Sequence, residues 1–240
     1  MMKTLQIELA SGLPGHLVEP EGSASAPAVL VFMEAYGVNE YVRSECRRLA
    51  ELGYVALAPD FYRGDTFSYD DTDRMMPRLL GLSDEALLAD VRASLEYLDR
   101  FPRARHEHYG AVGFCMGGRL AFLAAATFGT KIGAAVAFYG GHIAPDEARM
   151  GRKILVDRVC DVKAPLLFLY GAEDPSIEPS EHANLARALS AAKKSYTITV
   201  YPGAGHAFAS RDRPSYRPAV AEQAWTQAAA FFKTNLRPPQ

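Results

Sequence analysis

The chain holds 240 residues, between one large domain and two small ones at about 150 residues per domain, and its 49% hydrophobic and 22% charged content is globular rather than disordered. With 26 Lys and Arg against 28 Asp and Glu, the net charge of −2 supplies no basic face for nucleic acid or anionic lipid. No apolar run approaches the roughly 18 residues of a membrane span, and Glu8 interrupts the start before a signal-like core can form. A soluble, cytoplasmic protein without nucleic-acid or membrane partners is expected, as a monomer or weak homodimer.

Residues 3–9 alternate polar and apolar, and a turn around Pro14-Gly15 leads into 16–18, which predicts an edge hairpin. The unbroken apolar run 28–33 suits a strand buried on both faces. Helical spacing over 43–52 ends at Gly53, a suitable C-cap, and the strand 54–58 follows, so strand, helix and strand form a parallel unit. The segment 63–78 is polar, mixed in charge and poorly periodic, and reads as a long functional or mobile loop. Ser83 then caps a helix with Leu87, Leu88, Val91, Leu95 and Leu98 on one face.

The alternation continues with strand 109–114, helix 119–128, strand 132–139, strand 165–170, helix 181–191, strand 196–201 and a terminal helix 219–236. Strands alternating with helices predict a single α/β domain over 1–240, with a mostly parallel central sheet and helices on both faces. No linker, repeat or low-complexity segment suggests a boundary.

In such sheets ligands sit outside the carboxyl ends of the strands, and three of those ends hold reactive residues. Gly113-Phe114-Cys115-Met116-Gly117 is a nucleophile elbow with cysteine in place of serine. Its glycines leave room for a strained turn, and the helix that follows points its free N–H groups at the sulfur, which favours thiolate. Asp174 follows the strand 165–170, and His206 stands in the glycine-rich turn after 196–201. Nucleophile, acid and histidine in that order are the α/β-hydrolase order. A free thiol of pKa about 8.5 is only a few per cent thiolate at pH 7, so it needs a base. His206 can serve, with Asp174 orienting the ring. The N–H groups of Met116 and Ala35 are the expected oxyanion donors.

The other candidates are weaker. Cys46 and Cys160 read as inert thiols, and three scattered cysteines give neither a disulfide framework nor a zinc cluster. His106 and His108 could share a face, but no third ligand is near, so no metal or other cofactor is expected. His16, His142 and His182 fall in no pattern.

Over nearly its whole length the sequence resembles the dienelactone hydrolases (carboxymethylenebutenolidases), an α/β-hydrolase family. The resemblance rests on Gly-Phe-Cys-Met-Gly-Gly at 113–118, Gly-Ala-Glu-Asp at 171–174, Gly-His-Ala-Phe at 205–208, Glu-Ala-Tyr-Gly-Val-Asn at 34–39 and Ala-Pro-Asp-Phe-Tyr at 58–62. It implies a Cys115-His206-Asp174 triad acting on a small lactone or ester without a cofactor. It further implies that Glu34 holds the resting thiol protonated and takes its proton when substrate displaces it. As a structural acid paired with an arginine, Glu34 would instead leave His206 the only base. Tyr36 is a further substrate-binding candidate.

The family grips its substrate carboxylate with two arginines. One falls here at either Arg74 or Arg78, while the other position, 210, holds Ser with Arg211 one place later. A general short-chain esterase, an acyltransferase or thioesterase, and a silent binding protein on the same scaffold are the alternatives.

Overall fold

Two left-handed residues, Ser11 (φ 61°) and Gly12 (φ 68°), reverse the chain between β1 (Lys3–Leu9) and β2 (Leu13–Glu19), which pair antiparallel with Leu9 opposite Leu13 and Lys3 opposite Glu19. The expected hairpin is therefore present, but its turn lies at 10–12. Pro14 and Gly15 are inside β2, where a Cβ on Gly15 would come within 3.1–3.2 Å of Ile7 and Leu57 side chains. The computed structural model describes residues 2–22, 24–105 and 107–236 and forms two compact units, 1–110 and 111–240.

In the first unit the strand order is β1-β2-β4-β3, with β3 at Ala28–Phe32 and β4 at Val55–Pro59, parallel to each other. Both are wholly buried, as the continuous apolar runs require. Helix α1 (Glu40–Glu51) joins them. It begins three residues earlier than the apolar spacing predicts because Asn39 caps it, its side-chain oxygen accepting from Val42 N–H at 3.2 Å. Gly53 (φ 90°) closes the turn beyond it.

The segment 63–78 departs from its reading as loop, since α2 (Thr72–Leu80) occupies its second half. Only Met75 and Leu79 are buried on that helix, four residues apart, which is too little apolar signal for a periodic pattern to show. Its Arg78 instead ties it to the preceding loop through Tyr62 O at 2.6 Å and Asp65 at 3.2 Å. Helix α3 (Asp84–Leu98) starts where expected, with Ser83 capping Ala86 N–H at 3.1 Å.

In the second unit the strands follow in chain order: β5 (Tyr109–Phe114), which enters from the unit boundary, β6 (Ile132–Phe138), β7 (Leu166–Gly171) and β8 (Tyr196–Tyr201). The last three run parallel, with Ala135 opposite Leu166 and Gly171 opposite Tyr201. Helices α4 (Met116–Thr127), α5 (Pro179–Ala191) and α6 (Pro218–Asn235) connect and close them. Phe114, Phe138, Phe208 and Trp225 form one aromatic cluster with centroids 5.1–6.5 Å apart. Each ring adds roughly 0.5–1.5 kcal/mol per pair beyond the area it buries. This floor carries the ends of β5 and β6 and the turn after β8, where the reactive residues stand. The fold is α/β with mostly parallel strands, as the alternation predicted.

Candidate active site

Cys115 joins β5 to α4 with φ 54° and ψ −117°, a conformation that costs an L-residue of order 1–3 kcal/mol. Close backbone packing holds it there. Its N–H donates to Phe138 O at 3.0 Å, and a Cβ on Gly113 would lie 1.9 Å from Gly117 O. A Cβ on Gly118 would meet Gly140 Cα at 2.8 Å, so the first turn of α4 rides directly on the loop after β6. Because backbone atoms cannot swing aside, Gly113→Ala is expected to cost at least about 3 kcal/mol. A urea midpoint equal to the parent's would remove this account of the elbow.

The acid and the histidine are brought together by main-chain bonds between the turns after β7 and β8. Ala172 N–H donates to Tyr201 O and Glu173 N–H to Ala204 O, each at 2.9 Å, and a Cβ on Gly171 would overlap Ala204 O at 2.3 Å. Asp174 thereby reaches His206, whose Nδ1–H donates to Asp174 Oδ2 at 2.8 Å. The other carboxylate oxygen accepts Ser176 N–H at 2.8 Å, which fixes its plane. The Asp174 side chain is fully buried. The edge of Tyr139 packs against the His206 ring at 5.4 Å, and the left-handed Ala207 (φ 61°) follows it.

Burial alone would lower the His206 pKa. The negative charge of Cys115, the hydrogen bonds that the ring donates to Asp174 and to the Cys115 sulfur, and the Asp174 charge overcome it and push the value up to about 10. A proton on this ring is thus stabilised by both neighbours, the condition for a thiolate-imidazolium pair. Met116 is the first residue of α4, where an N–H has no acceptor within the helix.

Of the remaining expected residues, all but Arg211 lie in the unit 1–110. Glu34 and Ala35 follow β3, and both are buried. Ala35 O accepts from Tyr62 OH at 3.0 Å. Tyr36 is buried with its ring edge-on to Tyr69 at 4.7 Å. Both arginines of α2 have partners nearby: Arg78 binds Tyr62 O and Asp65 and lies 5.3 Å over the Tyr62 ring, while Arg74 binds Asp71 at 3.1 Å. In the other unit Ser210 is wholly buried and Arg211 exposed.

His106 lies outside the described residues, and among those described no three His, Cys, Asp or Glu residues are grouped to hold a metal ion. Nor is any described helix long and apolar enough to cross a membrane.

Sequence reading passed over the loop after β6, although the strand-end rule applies to it as well. Buried Glu181 of α5 accepts Ile143 N–H at 2.7 Å and Ala144 N–H at 3.2 Å, and buried Arg119 of α4 donates to His142 O at 3.2 Å.

Residues 13–236 match the model of the dienelactone hydrolase family. A protein of Escherichia coli K12, provisionally named carboxymethylenebutenolidase, is 37% identical over 225 residues, covering 92% of this chain and 82% of its own. A Bradyrhizobium protein provisionally named 2-oxo-3-(5-oxofuran-2-ylidene)propanoate lactonase is 32% identical over 224 residues, with 92% and 89% covered. Among solved structures, one from Klebsiella pneumoniae, provisionally titled dienelactone hydrolase, superposes with a TM-score of 0.87 at 33% identity, covering 97% of this chain and 98% of its own.

Proposed function

The chain belongs to the dienelactone hydrolase family, and from that premise we propose that it hydrolyses a small lactone or carboxylic ester through Cys115, His206 and Asp174 and a thioester acyl-enzyme. The observation that carries the reading is the His206–Asp174 hydrogen bond of 2.8 Å, with Cys115 hydrogen-bonded to the same imidazole at a strained elbow. An inert packing role for the thiol would require none of these three features.

The Cys115 thiolate attacks the carbonyl carbon, and the tetrahedral oxyanion takes a hydrogen bond from Met116 N–H. Collapse expels the alkoxide, which receives the His206 proton and leaves as the alcohol, or as the free end of an opened lactone. His206, now neutral, takes a proton from water as it attacks the thioester. The second collapse releases the carboxylic acid and returns the thiolate-imidazolium pair. Asp174 keeps Nδ1 as the donor throughout and stabilises the charged ring.

Ala35 as second oxyanion donor, Glu34 as the acid that gates the Cys115 thiol before its pair with His206 forms, and Tyr36 with Arg74 or Arg78 and Arg211 as substrate contacts complete the proposal on the strength of the resemblance. Turnover of lactones and p-nitrophenyl esters, with product analysis in the presence of competing thiols and amines, tests the reaction. Carboxylic acid is expected as the dominant product. Transfer to the added nucleophile at low concentration would make the protein an acyltransferase.

Glu34 has its own test. If its buried carboxylate governs the resting thiol, Glu34→Gln slows turnover by about ten- to a hundredfold and changes the rate of Cys115 alkylation by iodoacetamide. Unchanged values of both would make it a structural acid.

A further inference from the structure

Tyr62 is wholly buried, and its hydroxyl donates to Ala35 O at 3.0 Å. Ala35 stands in the turn past the end of β3, so this bond, rather than a strand partner, fixes its carbonyl. Two further ties lie beside it. Phe67 N–H donates to Tyr36 O at 3.1 Å, and a Cβ on Gly37 (φ 84°) would lie 2.5 Å from Asp65 O. The turn after β3 and the segment 60–67 therefore meet main chain to main chain.

Tyr62 is in turn gripped at both ends of its backbone and on its ring. Buried Asp60 accepts Tyr62 N–H at 3.0 Å and Gly64 N–H at 2.8 Å. Arg78 donates to Tyr62 O at 2.6 Å and lies 5.3 Å over the ring, while the Phe67 ring meets it edge to face at 5.8 Å. A buried phenylalanine would fill the same space without a polar atom to satisfy, so what the hydroxyl adds is its hold on Ala35 O.

The N–H and the C=O of Ala35 belong to the two peptide planes that meet at its α-carbon. With the second plane pinned, the first loses the paired rotation by which a turn reorients its amides. That matters for an oxyanion donor, which acts by being aimed in advance at the place where charge develops.

We propose that Tyr62 is a positioning residue: its hydroxyl, bound to Ala35 O, fixes the direction of the Ala35 N–H given above as second oxyanion donor. This rests on the hydrolase reading, and the test separates the two. Arg78 then acts through Tyr62, in a role that needs no carboxylate on the substrate.

The experiment compares two reactions of one sulfur. Acetylation of Cys115 by p-nitrophenyl acetate passes through a tetrahedral oxyanion, whereas alkylation by iodoacetamide displaces iodide at a saturated carbon and forms none. Both need the thiolate. In Tyr62→Phe the first-turnover release of p-nitrophenolate is expected to slow about tenfold or more, while alkylation keeps the parental rate. Loosened packing around Cys115, or a shifted Glu34, would move alkylation as well. Should Tyr62→Phe fail to fold, Arg78→Met loosens Tyr62 from the half-exposed side, and the same split is expected on this ester, which offers an arginine no carboxylate. Acetylation at the parental rate in the variant, or equal slowing of both reactions, overturns the proposal. Absence of acetylation on Cys115 in the parent overturns the hydrolase reading instead.

Discussion

Cys115→Ala is expected to fold as the parent does and to lose ester turnover by about 10⁴-fold or more, because the step that forms the acyl-enzyme has no other nucleophile. The folding half of the statement follows from the elbow. The backbone is held by Phe138 O and by the close glycine contacts, neither of which involves the sulfur, and alanine meets the φ of 54° with the same β-carbon. Cys115 is itself only half-buried, so little packing is lost. Cys115→Ser should keep at most a trace, since a hydroxyl is far harder to ionise than a thiol and a base arrangement suited to a thiol is poorly matched to it. The measurement is kcat/KM on an activated ester, with circular dichroism and Tm beside it. Turnover near the parental rate in Cys115→Ala would end the mechanism.

The second large effect belongs to Asp174→Asn, expected to lower kcat by about 10³- to 10⁴-fold with little change in KM. Its fully buried carboxylate accepts from both His206 and Ser176 N–H. An amide can still accept one of these bonds, but it presents an N–H or a neutral oxygen to Nδ1 and removes a negative charge that favours the imidazolium. The His206 pKa, about 10 in the parent, therefore falls in the variant, because the Asp174 hydrogen bond and charge no longer oppose burial. Ring nitrogen chemical shifts followed between pH 6 and 10 should show imidazolium persisting past pH 8 in the parent and titrating at lower pH in Asp174→Asn. Identical titrations would mean that Asp174 does not hold the ring.

What could be read from the sequence was whatever depends on neighbours along the chain. The elbow is legible because its glycines lie two residues either side of Cys115, and Asp174 and His206 because each stands at a strand end. Ser83 could be read as a cap for the same reason, whereas Asn39 was passed over because the apolar stripe of α1 starts later than its hydrogen bonds do.

The edge turn shows the limit from the other side. Pro14-Gly15 carries a strong turn signal, yet pairing of β2 with strands on both sides outweighs it. The loop after β6 was illegible for a different reason. Glu181 and Ile143 are 38 residues apart, and Arg119 and His142 are 23 apart, so the network exists only once α4 and α5 have packed. Arginine roles were equally hidden, because the Arg78 partners Tyr62 O and Asp65 become neighbours only when α2 forms.

The central claim is covalent: the acyl group of the substrate passes through the Cys115 sulfur. It is tested most directly by mixing the protein with p-nitrophenyl acetate, quenching in acid within the first turnover, and locating the added mass by peptide mass spectrometry. The account predicts one acetyl group per chain on the peptide containing Cys115, labile to hydroxylamine as a thioester is, and no such adduct in Cys115→Ala. An acetyl group found instead on another residue, or ester hydrolysis at full rate with no adduct on Cys115, would contradict it.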